Sequence, residues 1–431
     1  MSSQALCGAV PAIATIEPFE QRLLYSTYVV SGASDAAGTV APAGNGTYAA
    51  TTLRAAITAA NARPGGDVVR ISPAVTGTIT LRLGELVISD NLTIQGAGAR
   101  AQSIDGGGAA RVFNVRPGVT ASINDVTVAN GATQFTGGGA IRNEGVLTLR
   151  RVAVRNSTAG DVDGGGVFST GTLTVLDSTF TGNTASSGGG LFNAGTASVV
   201  NSTFSGNTAD YGGGLYNRDR ARLVVTNSTV SGNRANLHGG GIAGTLDDPL
   251  NTPSGTRLNN TIVAGNTFDP SKTESAANPL GPDLYGFFDP ASSNNLVGSL
   301  GFAKGLSPAR NLLGSVENLT PKISPLLSPL GYYGGTTQTM PPKAGSPAIN
   351  AGSNALLPAG TVTDQRGLPR IAGARVDIGS VETASQVKPP ASGGEGDKKK
   401  DKDKDKQKDK NKDKDKDKEK NKKQKKAKHK G

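Results

Sequence analysis

The residues best placed for chemistry stand just before repeated runs of glycine. Asp163, Ser187, Tyr211 and His238 each precede a Gly-Gly-Gly triplet, so a carboxylate, two hydroxyls and an imidazole occupy corresponding points of successive repeats. Hydrolysis of a glycosidic bond needs two carboxyl groups roughly 5–9 Å apart. Elimination from an acidic polysaccharide needs carboxylates that bind Ca²⁺ and a basic residue that removes a proton. These four residues are therefore candidate ligand-binding residues.

The candidate catalytic residues overlap with this set and are Asp161, Asp163, Asp210, His238, Asp247 and Asp248. Asp163 and Asp210 lie two repeats and one position apart, so stacked repeats would separate them by about 10 Å. Asp247 and Asp248 belong to an insertion that could fold over the row. The alternative is that all of these side chains are solvent-facing turn residues with no catalytic role.

The glycine triplets set the period of the structure that must position these side chains. They occupy residues 137–139, 164–166, 188–190, 212–214 and 239–241, at spacings of 27, 24, 24 and 27 residues. A second motif of the form Ser-Thr-apolar-Ser/Thr-Gly-Asn falls between them and ends at Asn183, Asn207 and Asn233. Shorter or related copies end at Asn130, Asn156 and Asn266.

A period near 25 residues with short β-strand patterns predicts one coil of a solenoid per repeat. The Gly, Ser, Thr and Asn content disfavours helical repeats. We predict an all-β fold, a right-handed single-stranded parallel β-helix. Its structural positions would be glycines at tight corners and asparagines that hydrogen-bond from coil to coil: Gly138, Gly165, Gly189, Gly213, Gly240, Asn156, Asn183, Asn207, Asn233 and Asn266.

Two apolar rows should face the core of this solenoid. One contains Val154, Phe180, Phe204, Val230 and Val263, and the other contains Leu149, Val175, Val199 and Val225. A third row, Ile141, Phe168, Phe192 and Tyr216, is ambiguous because neighbouring strand residues face opposite ways. We expect this row to pack in the core or at a corner. The alternative is an outward platform for sugar rings.

Composition excludes several classes of function. Residues 397–431 hold 19 Lys and 9 Asp or Glu, which accounts for +10 of the formal net charge of +11. The rest of the chain is nearly neutral, which argues against specific nucleic-acid binding. A single cysteine, Cys7, and two histidines exclude metal sites built on those side chains, and we predict neither a metal site nor a cofactor. Calcium would be required only if the chain were a polysaccharide lyase. No run of apolar residues is long enough for a transmembrane helix.

The chain divides into four segments. Residues 1–26 form an export-like N-terminal segment, and residues 27–328 form the β-helix, with clear repeats over 115–270. Apolar residues at Leu53, Ala56, Ile57 and Ala60 predict a short amphipathic helix that caps the open end of the solenoid. Residues 329–384 form a C-terminal cap. Residues 385–431 form a Lys/Asp-rich tail that is too polar to fold and that could contact anionic polymers.

Three segments resemble known families. Gly138-Gly139-Ala140-Ile141 and the Phe-x-x-Asn motifs ending at Asn183 and Asn207 resemble the GGAI and FxxN repeats of polymorphic outer-membrane proteins. Residues 329–382, with Gly-Ser-Pro-Ala-Ile-Asn at 345–350 and Val-Asp-Ile-Gly-Ser-Val-Glu at 376–382, resemble the choice-of-anchor Q domain. Residues 17–26 resemble the LEPR-x-LL segment of exported bacterial proteins, with Gln21 at the usual proline position. The solenoid as a whole resembles the pectate-lyase-like superfamily.

These resemblances imply two hypotheses about function. The first is a non-catalytic extracellular or cell-surface protein, expected to be a monomer, with a role in adhesion, in a matrix or in polysaccharide binding. The second is a carbohydrate-active enzyme, either a polysaccharide lyase or a glycoside hydrolase. Three or more carboxylates that converge on one groove beside a Lys or Arg would favour the enzyme.

Overall fold

The computed structural model describes residues 25–245, 255–269, 282–314 and 322–383. Most of the predicted export-like segment, Asp247, Asp248 and the whole Lys/Asp-rich tail lie outside these residues. The first described elements close one end of the fold. Helix α1 (Leu53–Asn61) begins at Thr52, whose hydroxyl accepts a hydrogen bond from the Ala55 N–H at 3.1 Å. The helix buries the predicted apolar face of Leu53, Ala56, Ile57 and Ala60.

The remaining elements form a right-handed parallel β-helix, as predicted. Each coil places one strand in sheet C, one in sheet A and one in sheet B before the chain returns to sheet C. Sheet A contains, in spatial order, β2 (Val40–Gly44), β3 (Thr47–Ala50), β1 (Thr27–Val30), β4 (Asp67–Ile71), β7 (Leu92–Gln95), β10 (Thr120–Asn124), β13 (Val146–Arg150), β16 (Thr172–Leu176), β19 (Thr196–Val200), β23 (Arg222–Thr226) and β27 (Gly255–Asn259). Its strands pair in parallel, except that β2 and β3 are antiparallel.

Sheets B and C follow the same progression along the axis. Sheet B contains β5 (Gly77–Thr80), β8 (Gln102–Asp105), β11 (Thr127–Ala129), β14 (Ala153–Arg155), β17 (Thr179–Thr181), β20 (Thr203–Ser205), β24 (Thr229–Val230), β28 (Ile262–Val263), β31 (Leu296–Val297) and β33 (Leu312–Leu313). Sheet C contains β6 (Leu86–Ile88), β9 (Phe113–Val115), β12 (Ile141–Asn143), β15 (Val167–Ser169), β18 (Leu191–Asn193), β22 (Leu215–Asn217), β26 (Ile242–Gly244), β30 (Leu284–Phe287) and β32 (Phe302–Lys304). A small sheet D contains β21 (Thr208–Tyr211), β25 (Arg234–His238) and β29 (Thr267–Phe268).

The core is built from in-register rows of side chains, and both predicted rows are confirmed. Phe180 and Phe204 are fully buried, and their rings stack at 4.4 Å between centroids. Val175 and Val199 are paired strand neighbours and are equally buried. Stacking like residues in phase removes apolar surface from water coil after coil, which is how this aromatic-poor chain builds a continuous core.

The register differs from the prediction at the first triplet. Gly138 aligns with Gly164, and both are left-handed, with φ values of 89° and 72°. The Gly139 N–H donates a hydrogen bond to the Gly164 carbonyl at 2.9 Å, which fixes this alignment. Gly139 therefore occupies the column of Gly165, Gly189, Gly213 and Gly240 that we had assigned to Gly138. Gly137 is an extra glycine before the corner, so the true coil is one residue shorter than the triplet spacing suggests.

The C-terminal segment lies along the side of the β-helix, where we had predicted a cap over its end. Residues 322–383 carry a short 3-10 helix (Asn354–Leu356). The Gln365 side chain donates to the Ser178 carbonyl at 3.1 Å, and the Ser380 N–H donates to the Thr229 hydroxyl at 3.1 Å. Polar side chains on the outer face of sheet B thus hold the segment against several successive coils.

Buried charges organise this flanking segment internally. Asp364 and Arg366 form an ion pair of 2.7 Å whose side chains are almost wholly buried. Arg370 is fully buried and donates to the carbonyls of Asp377 and Gly379. Burial also raises the pKa of Glu382 to about 7. A buried charge is tolerated only with partners, so these contacts fix the path of the segment.

Candidate functional site

The four residues before the glycines form one row on the outside of the solenoid, which we call the edge row (Asp163, Ser187, Tyr211 and His238). Each backbone carbonyl accepts a hydrogen bond from the first glycine of the preceding corner, at 3.0, 2.8, 2.9 and 3.0 Å in that order. Sheet D pairs Tyr211 with His238, and a β-bridge pairs Ser187 with Tyr211. The left-handed glycine that follows turns the chain into sheet C, which aims the preceding side chain away from the core.

Asp163 is half-buried at the start of the edge row. Burial raises the pKa of its carboxyl, while hydrogen bonds from the Ser187 hydroxyl and backbone N–H oppose that rise. The guanidinium of Arg218 also favours the ionised form. Burial likewise raises the pKa of the Tyr216 phenol nearby, so this hydroxyl remains a hydrogen-bond donor at neutral pH. The start of the row therefore offers a carboxylate, hydroxyls and a guanidinium within one neighbourhood.

Neither Asp161 nor Asp210 forms a carboxylate pair with Asp163, and Asp247 and Asp248 lie outside the described residues. Asp161 is exposed. Asp210 accepts a hydrogen bond from the Asn236 side chain at 2.7 Å, which ties it to sheet D. Within the described ranges, no group of three or more His, Cys, Asp or Glu side chains could hold a metal ion. The described part of the row is suited to hydrogen bonding with a ligand.

The ambiguous aromatic row points away from the core and packs against the glycine corners, where a Cβ on Gly137 would lie 2.4 Å from Cδ2 of Phe168. Of the expected core or corner packing, the structure shows the corner arrangement. Register places Phe168, Phe192 and Tyr216 in one column, while their neighbours Val167, Leu191 and Leu215 are fully buried inside. Ile141 belongs to the inner column and Arg142 to the outer one, because the first coil is shifted by one residue. We call the outer column the aromatic row (Phe168, Phe192 and Tyr216).

The rings of the aromatic row stack on one another and present mainly their edges. The centroids of Phe168 and Phe192 are 5.2 Å apart, as are those of Phe192 and Tyr216, with interplanar angles of 8° and 6°. Arg142 covers the far side of Phe168 at 5.5 Å from its ring centroid. Phe192 is only 4% exposed, so this row is not an open platform for sugar rings. It is a rigid wall beside the polar edge row.

His238 completes the wall at the coil where the aromatic row lacks a ring. Ala243 follows Tyr216 in register and Tyr285 follows Ala243. The His238 ring stacks on Tyr285 at 4.4 Å with an interplanar angle of 5°, and it tilts against Tyr211 at 5.7 Å. Burial lowers the pKa of His238. The imidazole is therefore neutral at pH 7 and packs as an aromatic ring.

An asparagine ladder runs under the corner that carries the edge row. Asn183, Asn207, Asn233 and Asn266 are buried, and each side-chain amide donates to the next carbonyl oxygen at 2.9 Å as far as Asn266. Asn156 does not belong to this ladder, contrary to our prediction. It has a φ of 52° and aligns with Gly182, whose φ is 66°, because Asn tolerates the left-handed region. Ser157 takes the ladder position, and its N–H donates to the Asn183 side chain.

A second ladder, which the repeat pattern did not lead us to predict, runs along sheet C. The Asn193 amide donates to the Asn217 side chain at 2.7 Å, and the Asn217 amide donates to the Thr256 hydroxyl at 3.0 Å. In earlier coils the Asn143 amide donates to the Ser169 hydroxyl at 2.9 Å. A sequence pattern could have predicted this ladder, because a small polar residue directly follows the outward-facing residue of sheet C in each of these coils. Together the ladders make the face that carries the aromatic row rigid.

The first ladder ends at a carboxylate, Asp283, which predicts a pH dependence of stability. Asp283 accepts from the Asn266 N–H and amide at 2.9 and 2.8 Å, and burial raises its pKa to about 6. The folded state therefore holds this proton up to higher pH than the unfolded state does. We expect the free energy of unfolding to be largest near pH 4 and to fall by up to roughly 3 kcal/mol as the pH rises past 6.

Urea unfolding between pH 4 and 8 measures this effect. Glu382 shifts stability in the same direction, as do other carboxyls whose pKa burial raises, such as Asp163. The control is therefore Asp283→Asn, whose fall between pH 4 and 6 should be smaller by up to roughly 3 kcal/mol while the contributions of the other carboxyls remain. Parallel profiles for the two proteins would show that Asp283 does not titrate in this way.

Comparison with known proteins finds one family similarity. Residues 177–194 and 201–218 match the model of the Chlamydia polymorphic membrane protein (Chlamydia_PMP) repeat. The matched residues span β17, β18 and β20 to β22 with their glycine corners and ladder asparagines, so the chain contains repeats similar to those of that family. Neither the curated proteins nor the solved structures include a significant match. No helix among the described residues is long and apolar enough to cross a membrane.

Proposed function

We propose that this chain is a non-catalytic repeat protein exposed at the cell surface, and that it binds polysaccharide along the edge row. The observation that carries the proposal is the polar edge row, from Asp163 to His238, set against the rigid aromatic row. The similarity to polymorphic membrane protein repeats supports a surface location. The resemblance of the flanking segment to the choice-of-anchor Q domain points the same way and stays a prediction.

The spacing of the edge row suits a polymer with repeated hydroxyl groups. Successive residues of the row lie one coil apart, about 4.8 Å. Asp163, Ser187 and Tyr211 provide an acceptor and two hydroxyls in sequence along the axis, and Arg218 adds a charged donor beside Asp163. Binding sites for sugars combine apolar ring surface with a few fixed polar groups. The ring edges of Phe168 and Tyr216 supply the apolar part.

The environments of the candidate acids and bases that the structure describes support the non-catalytic part of the proposal. Asp163 lies about two coils from Asp210, which is held by Asn236. The His238 imidazole is neutral, stacks on Tyr285 and packs at a tilt against Tyr211, so both neighbours hold it as a packing group. A general acid and base must both reach the bond they act on. These positions favour binding without bond cleavage.

Co-sedimentation of the full chain with insoluble neutral and acidic polysaccharides tests the proposal. We expect at least one to bind the wild type, and the double variant Ser187→Ala/Tyr211→Ala to bind it at least ~10-fold more weakly, because two polar contacts are lost. The matched control is Thr174→Ala, an outward residue of sheet A. Absence of binding to every polysaccharide and to intact cells would contradict the proposal, as would equal binding by the double variant.

The same incubations with polysaccharides test whether the chain catalyses cleavage of the polymer. With Ca²⁺ present, we expect neither unsaturated products nor new reducing ends to accumulate over days. Accumulation that depends on Asp163 would overturn the non-catalytic part of the proposal and would favour a polysaccharide lyase or hydrolase.

A further inference from the structure

At the N-terminal end of the solenoid, sheet A extends three strands further than sheet B. Sheet A continues past β4 to β1, β3 and β2, whereas β5 is the last strand of sheet B. Where sheet B would place another strand, the chain instead forms the loop of residues 33–37. Strand β5 is therefore an edge strand, and unpaired edges of this kind accept further strands.

The hydrogen bonds of β5 show which backbone groups face this edge. The Gly77 N–H donates to the Ala101 carbonyl at 3.2 Å, and the Leu81 N–H donates to the Asp105 carbonyl at 2.8 Å. Every second residue of the strand thus faces β8. Because the backbone groups alternate, the N–H and C=O groups of Thr78 and Thr80 point to the opposite side. No strand among the described residues pairs with them.

A groove runs along this open edge and has the loop of residues 33–37 as its other wall. Asp35 holds the loop in place, since its carboxylate accepts hydrogen bonds from the Arg82 and Leu83 N–H groups and from the Arg54 guanidinium. Next to that contact lies a cavity of about 630 Å³, whose lining includes Ala33, Ala36, Ala37, Thr78 and Thr80. The small side chains of the loop leave room for one more strand.

We propose that this groove binds an extended segment of a partner polypeptide, which adds to sheet B as a strand alongside β5. Backbone hydrogen bonds to Thr78 and Thr80 would supply most of the affinity. The loop wall limits the occupant to a single strand, which excludes the edge of a second folded copy. This site is independent of the edge row and goes beyond the polysaccharide binding proposed above.

The side chains around the groove define the chemistry of the segment. Ile79 faces the core and is 2% exposed, so the residue opposite it on the added strand should be aliphatic. Arg82 is exposed and forms no ion pair within the described part of the chain, so the next residue should carry a carboxylate. Strand β8 has this pattern on the other side of β5, with Ile104 paired to Ile79 and Asp105 paired to Thr80.

A fluorescent peptide with the sequence of residues 101–106, Ala-Gln-Ser-Ile-Asp-Gly, is the probe. We expect fluorescence anisotropy to show saturable binding to the full chain. A scrambled peptide should bind at least ~10-fold more weakly, and so should a peptide N-methylated at alternate residues, which cannot pair along one edge. Equal binding of the three peptides would overturn the proposal, as would no binding of the first.

Variants of β5 locate the contact. Thr80→Pro removes an N–H that faces the groove but lies outside the ladder with β8, so the fold should tolerate it. We expect this variant to bind the peptide at least ~10-fold more weakly, whereas Thr80→Val, which keeps the N–H, should bind like the wild type. Arg82→Gln should weaken binding of the Asp-containing peptide but not of its Asn counterpart. If Thr80→Pro, shown to be folded by its circular dichroism spectrum, binds normally, the strand does not add at β5.

Discussion

Replacing Asn207 with alanine is expected to lower the free energy of unfolding by about 3–5 kcal/mol. Asn207 is fully buried and makes four hydrogen bonds in the ladder. Its side-chain oxygen accepts from the N–H and the amide of Asn183, and its amide donates to the carbonyl of Phe180 and the side chain of Asn233. Alanine leaves at least two buried donors without acceptors, and each such group costs about 1–3 kcal/mol.

Asn156→Gly is the matched control for Asn207→Ala. Asn156 belongs to the same sequence motif but aligns with the left-handed Gly182, and the following coils have glycine at this point. We expect this substitution to change stability by less than about 0.5 kcal/mol. Both effects are read from urea unfolding monitored by far-UV circular dichroism. Similar losses for the two variants would mean that the ladder assignment is wrong.

The second large effect is expected at the glycine corners, where Gly213→Ala should cost about 3 kcal/mol or more. A Cβ on Gly213 would lie 2.2 Å from the Arg234 carbonyl oxygen and 2.7 Å from that of Gly240. Both atoms are backbone atoms of the next coil, so the coils must separate for the methyl group to fit. Overpacking that moves backbone costs more than the usual 1–3 kcal/mol of a tight core substitution.

Gly206→Asn separates this close approach from the need for a left-handed backbone. Gly206 has a φ of 70°, but a Cβ there would meet no atom closer than 3.6 Å. Asn130 and Asn156 occupy the equivalent point in earlier coils, with φ values of 50° and 52°. We expect Gly206→Asn to cost less than about 1 kcal/mol. If Gly213→Ala were equally mild, the coils would not be packed as closely as described.

Much of the fold could be predicted because each structural position recurs in several repeats of the sequence. The core rows that contain Phe180 and Val175 follow from strand alternation alone, and the helix at Leu53–Asn61 follows from its apolar spacing and its Pro-Gly-Gly stop. Every coil repeats the same pattern of apolar and glycine residues. A wrong alignment at one position therefore does not change the predicted architecture.

Register errors arose where coils differ in length. The triplet spacing aligned Gly138 with Gly165, and the motif ending aligned Asn156 with Asn183, yet each is displaced by one residue in the structure. Sequence spacing counts residues and cannot tell a glycine at a corner from an extra glycine beside it. Backbone conformation decides the matter, because only the left-handed residues share a column.

The path of the flanking segment could not be predicted from the repeat. Its contacts join Gln365 to Ser178 and Ser380 to Thr229, which are far apart in sequence and follow no period. The outward direction of the aromatic row was likewise undecided until the inner neighbours Val167 and Leu191 were located. The groove beside β5 lies where sheet B lacks a further strand, and no sequence motif marks the place where a strand is absent.

The central claim is that the coils stack in register and so place the edge row and the aromatic row on one rigid face. A thiol crosslinking experiment tests this most directly, in a Cys7→Ser background that leaves no native thiol. Thr174 and Ser198 face outward on paired strands of sheet A, whereas Thr148 and Ser198 lie two strands apart, at about 10 Å. Dibromobimane, which becomes fluorescent when it joins two close thiols, reports which pair is adjacent.

We predict that Thr174→Cys/Ser198→Cys crosslinks rapidly in the native protein, that Thr148→Cys/Ser198→Cys does so at least ~10-fold more slowly, and that urea abolishes the difference. A register slipped by one residue would turn Ser198 into the core and protect it from the reagent. Slow reaction of the first pair, or equal rates for both pairs in the native protein, would contradict the stacked β-helix and the binding face built on it.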